Sequence, residues 1–84
     1  MFVTTRDMLK RAQEGHYAVG AFNVENLEFV MAIIRAAEER RSPVIMQTTP
    51  GTVRYASLDY FVVMARAAAE GASVPVALHL DHGD

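Results

Sequence analysis

Apolar residues along this 84-residue chain switch between helical spacing and short uninterrupted runs, the pattern of helices threaded between buried strands. Thr4 or Thr5 can cap a first short helix. Asp7 falls in its opening turn, Met8, Leu9 and Ala12 form a narrow apolar stripe, and Gly15 ends it. The run from Tyr17 to Phe22 carries no charge and no helical period, so it predicts a buried first strand that stops at Asn23. Asn26 is placed to cap the next helix, in which Leu27, Val30, Met31, Ile34 and Ala37 repeat on one face. The charged run Glu38 to Arg41 closes that helix, and Ser42-Pro43 breaks it before a second strand from Val44 to about Thr48. Thr49 to about Ala56 reads as loop. Ser57 then caps a helix with Leu58, Phe61, Val62, Ala65 and Ala69 on one side, Gly71 ends it, and Val74-Pro75-Val76 opens a third strand.

Pro43 and Pro75 each lead into a strand and stand 32 residues apart, which marks a repeated βα unit. Strands joined by helix-length crossovers are parallel, and right-handed crossovers put successive helices on the same side of the sheet. Such a sheet leaves its other face bare, with Val19, Ile45, Ala77 or their neighbours on it. Closure into a (β/α)₈ barrel covers that face. The expected architecture is therefore the first three βα units of a TIM barrel, preceded by one extra helix that plugs its amino-terminal end. Residues 1–84 form a single partial domain in this reading. The competing architecture is a self-sufficient miniature sheet in which the strand order reverses and helices cover both faces; the competing function is that of a free-standing α/β module that uses its uncovered sheet face to bind a partner.

Composition narrows the function classes. The chain is 51% hydrophobic and 21% charged with a formal net charge of −2, so it offers no basic field for nucleic acid or an anionic membrane. Without cysteine it has neither a disulfide framework nor a thiolate metal site, and any metal must be held by His and carboxylates. No apolar stretch reaches the roughly 18 residues of a membrane span, and the first residues lack a signal-peptide pattern. A cytoplasmic protein is the expectation.

Chemistry gathers at the end of the chain, where the apolar run Val76-Ala77-Leu78 continues into His79-Leu80-Asp81-His82-Gly83-Asp84. Asn23, Thr49 and Asp81 each fall at or just past the carboxyl end of a predicted strand, the end at which such folds collect ligands. His79 and Asp81 share a face by alternation, and His82 lies where the chain can turn it inward, leaving Asp81 between two imidazoles. Asp81-His82 reads either as an acid beside a metal-ligating imidazole or as a turn-capping Asp with a solvated His. His79 is a hydrogen-bonded core histidine or a metal ligand. Asn23 is an Asx-turn residue or a partner for a substrate hydroxyl, and Thr49 begins a turn or contacts a phosphate or sugar oxygen.

The runs from Tyr17 to Asn23, Pro43 to Gly51 and Val74 to Gly83 resemble the amino-terminal part of the class II, zinc-dependent ketose-bisphosphate aldolases, which act on fructose or tagatose bisphosphate. The His-x-Asp-His signature is the most specific part of the match. The resemblance implies a homo-oligomeric barrel enzyme of carbohydrate metabolism, including glycolysis. Its lyase reaction splits a ketose 1,6-bisphosphate into dihydroxyacetone phosphate and an aldehyde such as glyceraldehyde 3-phosphate. It further implies that His82 is a Zn²⁺ ligand, that Asp81 is the catalytic acid at the aldehyde oxygen, and that Asn23 and Thr49 bind the phosphorylated sugar. The family's other two metal histidines have no counterpart in this stretch, and a three-ligand zinc site cannot be built from His82 and His79 without a further carboxylate such as Asp84, so these 84 residues alone are expected to have no useful activity.

Overall fold

A computed structural model describes residues 1–83. Helices and strands follow in the order α1 (Thr5–Gly15), β1 (Gly20–Asn23), α2 (Leu27–Arg40), β2 (Val44–Thr48), α3 (Pro50–Ala56), α4 (Leu58–Glu70) and β3 (Val76–Leu80). The strands form one parallel sheet in the order β1-β2-β3. As the crossover rule requires, α2 and α4 pack on the same face, where Val30, Ala37, Phe61, Ala65 and Ala69 meet Val44, Met46 and Val76. The opposite face is covered only near the strands' amino ends, by Met8 of α1 against Ile45 and Ala77, with Val3 and Val19 alongside. The extra helix thus packs against the amino-terminal part of that face.

Four expectations change. Thr49 to Ala56 is not loop: Pro50 is pre-set for the first helical turn and the Thr49 side chain accepts from the Thr52 amide, so a short helix forms. Its junction with α4 is tight, because Ser57 adopts φ 83°, ψ 148°, a region that an L residue enters only under strain. The first strand begins later than predicted, at Gly20, and is exposed along its length. It is an edge strand, no strand among the described residues pairs with its outer side, and Phe22 remains 52% exposed. For the same reason Leu27 and Met31 of the α2 stripe stay exposed while Val30 and Ala37 are buried. Leu9 of the α1 stripe is likewise exposed. Between β1 and α2 lies a groove of about 380 Å³ lined by Phe22, Ile33, Ala36, Arg40 and Pro43.

The amino ends of the strands are tied by charge as well as packing. Glu38 of α2 accepts from both the backbone N–H (3.1 Å) and the hydroxyl (3.0 Å) of Ser73, in the loop before β3. These two hydrogen bonds, the backbone one foremost, hold the Glu38 carboxyl below the usual glutamate value, with the Met1 ammonium adding to the effect. A carboxyl whose value is depressed on folding contributes stability above its unfolded value, about 4.3, and loses it as pH falls through the lower folded one. The difference in urea midpoint between the parent and Glu38→Gln is therefore expected to be full at pH 7 and to shrink toward zero below about pH 4. The amide variant still accepts from Ser73, so the comparison isolates the charge.

Candidate active site

Parallel pairing sets the site. Cα partners Asn23↔Gln47 and Gln47↔His79 place these three side chains in one row across the sheet, on the face opposite α2 and α4. Below them lies the apolar layer of Ile45 and Ala77 that α1 covers. The sequence-predicted residues Asn23, Thr49, Asp81 and His82 all stand at the carboxyl end of the sheet, Thr49 immediately after β2 and Asp81 immediately after β3. The Asp81 amide donates to the Thr48 carbonyl at 2.7 Å, so the exit of β3 is pinned to the end of β2. The Thr48 hydroxyl itself faces the helix layer, buried and without a hydrogen-bond partner among the described residues.

Asp81 lies between two imidazoles, as alternation predicts. His79 Nε2 is 3.7 Å from one carboxylate oxygen and His82 Nε2 is 3.6 Å from the other. Both contacts become ion pairs when the imidazole is protonated. His82 reaches this position because its backbone turns into the left-handed region at φ 57°, which folds the side chain back beside Asp81. Asp81 is 35% exposed and His82 80% exposed, so both are open to a ligand at the rim.

Three further polar residues, Gln47, Glu25 and Thr52, to which the sequence reading gave no role, complete the rim. Gln47 Nε2 donates to Asn23 Oδ1 at 2.8 Å, so Asn23 spends its oxygen internally and has its NH₂ to offer a ligand. The sequence signal was present: Gln47 shares parity with Ile45 in an otherwise apolar strand, which puts it on the site face. Glu25 accepts from the Thr52 hydroxyl at 2.8 Å, and Thr52 Oγ1 lies 3.3 Å from Thr49 Oγ1. Because Thr52 gives its proton to Glu25, its oxygen is left to accept from Thr49. No sequence pattern announces that relay. The donor chemistry at Asp81 and His82 suits zinc in kind, but among the described residues no three or more His, Asp and Glu side chains are arranged so that they could hold a metal ion. Asp84 lies outside them.

A parallel α/β sheet with an acid and two imidazoles at its carboxyl rim is the arrangement in which α/β enzymes carry their sites, and comparison with known proteins specifies the family. The chain belongs to the class-II fructose-bisphosphate aldolase family, whose profile matches residues 3–84. It is 46% identical to a fructose-bisphosphate aldolase of Treponema pallidum over 98% of its own length and 26% of the relative's. It is 48% identical to one from Thermus caldophilus, over 99% of this chain and 27% of that protein. The crystal structure of the YdjI aldolase from Escherichia coli K12 superposes with a TM-score of 0.91 at 42% identity, covering all of this chain and 33% of that one. The chain thus spans about a quarter of the length of the curated relatives.

Proposed function

We propose that these residues are the first three βα units of a (β/α)₈ aldolase that reversibly cleaves a ketose 1,6-bisphosphate to dihydroxyacetone phosphate and an aldehyde. The observation that carries the reading is Asp81, held between His79 and His82 at the rim shared by Asn23 and Thr49. The open outer edge of β1 and the groove beside it support a sheet that continues into further units. His82 is one ligand of a Zn²⁺ whose remaining ligands come from the longer protein; zinc, when bound, supplies Lewis-acid polarisation of the substrate carbonyl. Asp81 holds the proton exchanged with the aldehyde oxygen, and the His79 imidazole beside it provides its local proton partner. The Asn23 amide and the Thr49 hydroxyl, fixed by Gln47 and by Thr52, orient substrate oxygens at the same mouth. Oligomerisation belongs to the same reading of the whole protein.

The full-length, zinc-loaded protein is expected to cleave fructose or tagatose 1,6-bisphosphate, to lose that activity on chelation and to regain it with Zn²⁺, while residues 1–84 alone stay inactive. A coupled assay of triose phosphate release checks this. Failure of the loaded protein on both bisphosphates overturns the assignment.

A further inference from the structure

Two residues beyond Asn23, the β1–α2 loop carries the carboxylate of Glu25. Its neighbours leave it little freedom. Val24 is fully buried and its amide donates to the Gln47 carbonyl at 2.8 Å, while Asn26 caps α2 by accepting from the Phe29 amide at 3.0 Å. Held on both sides, Glu25 accepts through Oε2 from the hydroxyl of Thr52, a 7% exposed residue of α3, at 2.8 Å. A carboxylate has no proton to give, so the one between this pair belongs to Thr52. Thr52 Oγ1 lies 3.3 Å from Thr49 Oγ1, and only the Thr49 hydrogen is left to fill that contact. One lone pair of Thr49 Oγ1 is also engaged, by the Thr52 amide at 3.4 Å. What Thr49 keeps for a ligand is its second lone pair. Asn23 is set the other way, because its oxygen takes the Gln47 side-chain amide and its NH₂ is what remains.

Resting on the aldolase reading of this rim, we propose that Glu25 is a positioning residue: acting through Thr52, it turns the Thr49 O–H inward, so that Thr49 accepts from a hydroxyl of the sugar chain and turns away phosphate oxygens. A phosphate dianion brings only acceptors, which meet the Thr49 lone pair with no hydrogen between them, and the negative charge of Glu25 stands behind the same hydroxyls. A sugar hydroxyl brings the missing hydrogen. Asn23 and Thr49 therefore sort substrate oxygens by kind, Asn23 donating to an acceptor and Thr49 accepting from an O–H. The Glu25–Thr52 bond also ties the β1–α2 loop to α3, but a purely mechanical tie has no preference for one kind of oxygen over the other.

Steady-state kinetics of the full-length, zinc-loaded protein tests this with Glu25→Ala, Thr52→Val and the two combined. Either single change frees the Thr49 hydrogen to turn outward. Each is expected to raise KM for the sugar bisphosphate about tenfold, the effect of one lost hydrogen bond, with kcat within about twofold of the parent. The combined variant is expected to match the singles, since both cut one relay. Inorganic phosphate, used as a competitive inhibitor, is expected to bind each variant as tightly as the parent or more tightly. The proposal is overturned by an unchanged KM, by a loss carried in kcat instead, by additive losses in the combined variant, or by KM and the phosphate inhibition constant rising together; each leaves the aldolase assignment intact. A parent that cleaves neither bisphosphate removes the assignment and this inference with it.

Discussion

Asp81→Ala in the full-length aldolase is expected to lower kcat for bisphosphate cleavage by about 10²–10⁴-fold, the range typical of a lost general acid or base. Substrate affinity changes less, because Asn23 and Thr49 are held by Gln47 and Thr52 and not by Asp81. Asp81→Asn separates the two services the carboxyl provides: it keeps hydrogen-bonding capacity and loses the exchangeable proton, so a proton-transfer role leaves it nearly as slow as alanine. A sharper split comes from solvent deuterium incorporation into dihydroxyacetone phosphate. If Asp81 serves the aldehyde oxygen, the C–H exchange of the ketone half survives in both variants while cleavage does not. Equal loss of exchange and cleavage places Asp81 at the ketone instead, and wild-type cleavage in Asp81→Ala removes it from the reaction altogether. The melting temperature stays within a few degrees throughout, since the side chain is part-exposed and its strand is pinned through the backbone, from Asp81 N to Thr48 O at 2.7 Å.

How much of this was legible depends on whether the physics is local. The Asn26 cap, the breaks at Pro43 and Pro75, and the β2 limits Val44–Thr48 follow from side-chain chemistry within a few residues, and the structure places them as the sequence does. The parallel order β1-β2-β3 follows from crossover length and handedness. Alternation alone brings His79 and Asp81 to one face. The departures arise where a neighbour decides. Leu27, Met31 and Phe22 carry the apolar signature of buried positions, yet are exposed beside the open edge of β1. Helix α3 forms in a segment whose Pro50-Gly51 reads as a turn, because Pro at the first helical position and the Thr49 cap outweigh the glycine. The Gln47–Asn23 pair needed strand register, and the Glu25–Thr52–Thr49 relay needed the contact between the β1–α2 loop and α3. Long-range hydrogen bonds of that kind leave no periodic trace.

Stability rests on different residues from catalysis, and Phe61→Ala is expected to show it with the largest loss of any single truncation on the helix-covered face. Phe61 is 1% exposed and is the largest of the fully buried side chains. It belongs to the cluster in which Val30 of α2, Ala65 and Ala69 of α4, and Met46 and Val76 of the sheet meet. Removing an aromatic ring from such a position costs its transfer free energy plus that of the cavity left behind, about 3–5 kcal/mol. The alanines around it, Ala37, Ala65 and Ala69, are too small to move into the void. Phe61→Leu keeps most of the volume and is expected to cost less than about 1.5 kcal/mol. Phe22→Ala, at the half-exposed edge, serves as the control for loss of a ring as such. Urea unfolding of the full-length protein, with the slope unchanged, provides the comparison. Since β2 and β3 carry Thr49 and Asp81 at their upper ends and pack on Phe61 through Met46 and Val76 below, folded Phe61→Ala keeps most of its kcat at low temperature. It then loses activity along its own unfolding curve, the reverse of Asp81→Ala, which stays folded and turns over about 10²–10⁴-fold more slowly.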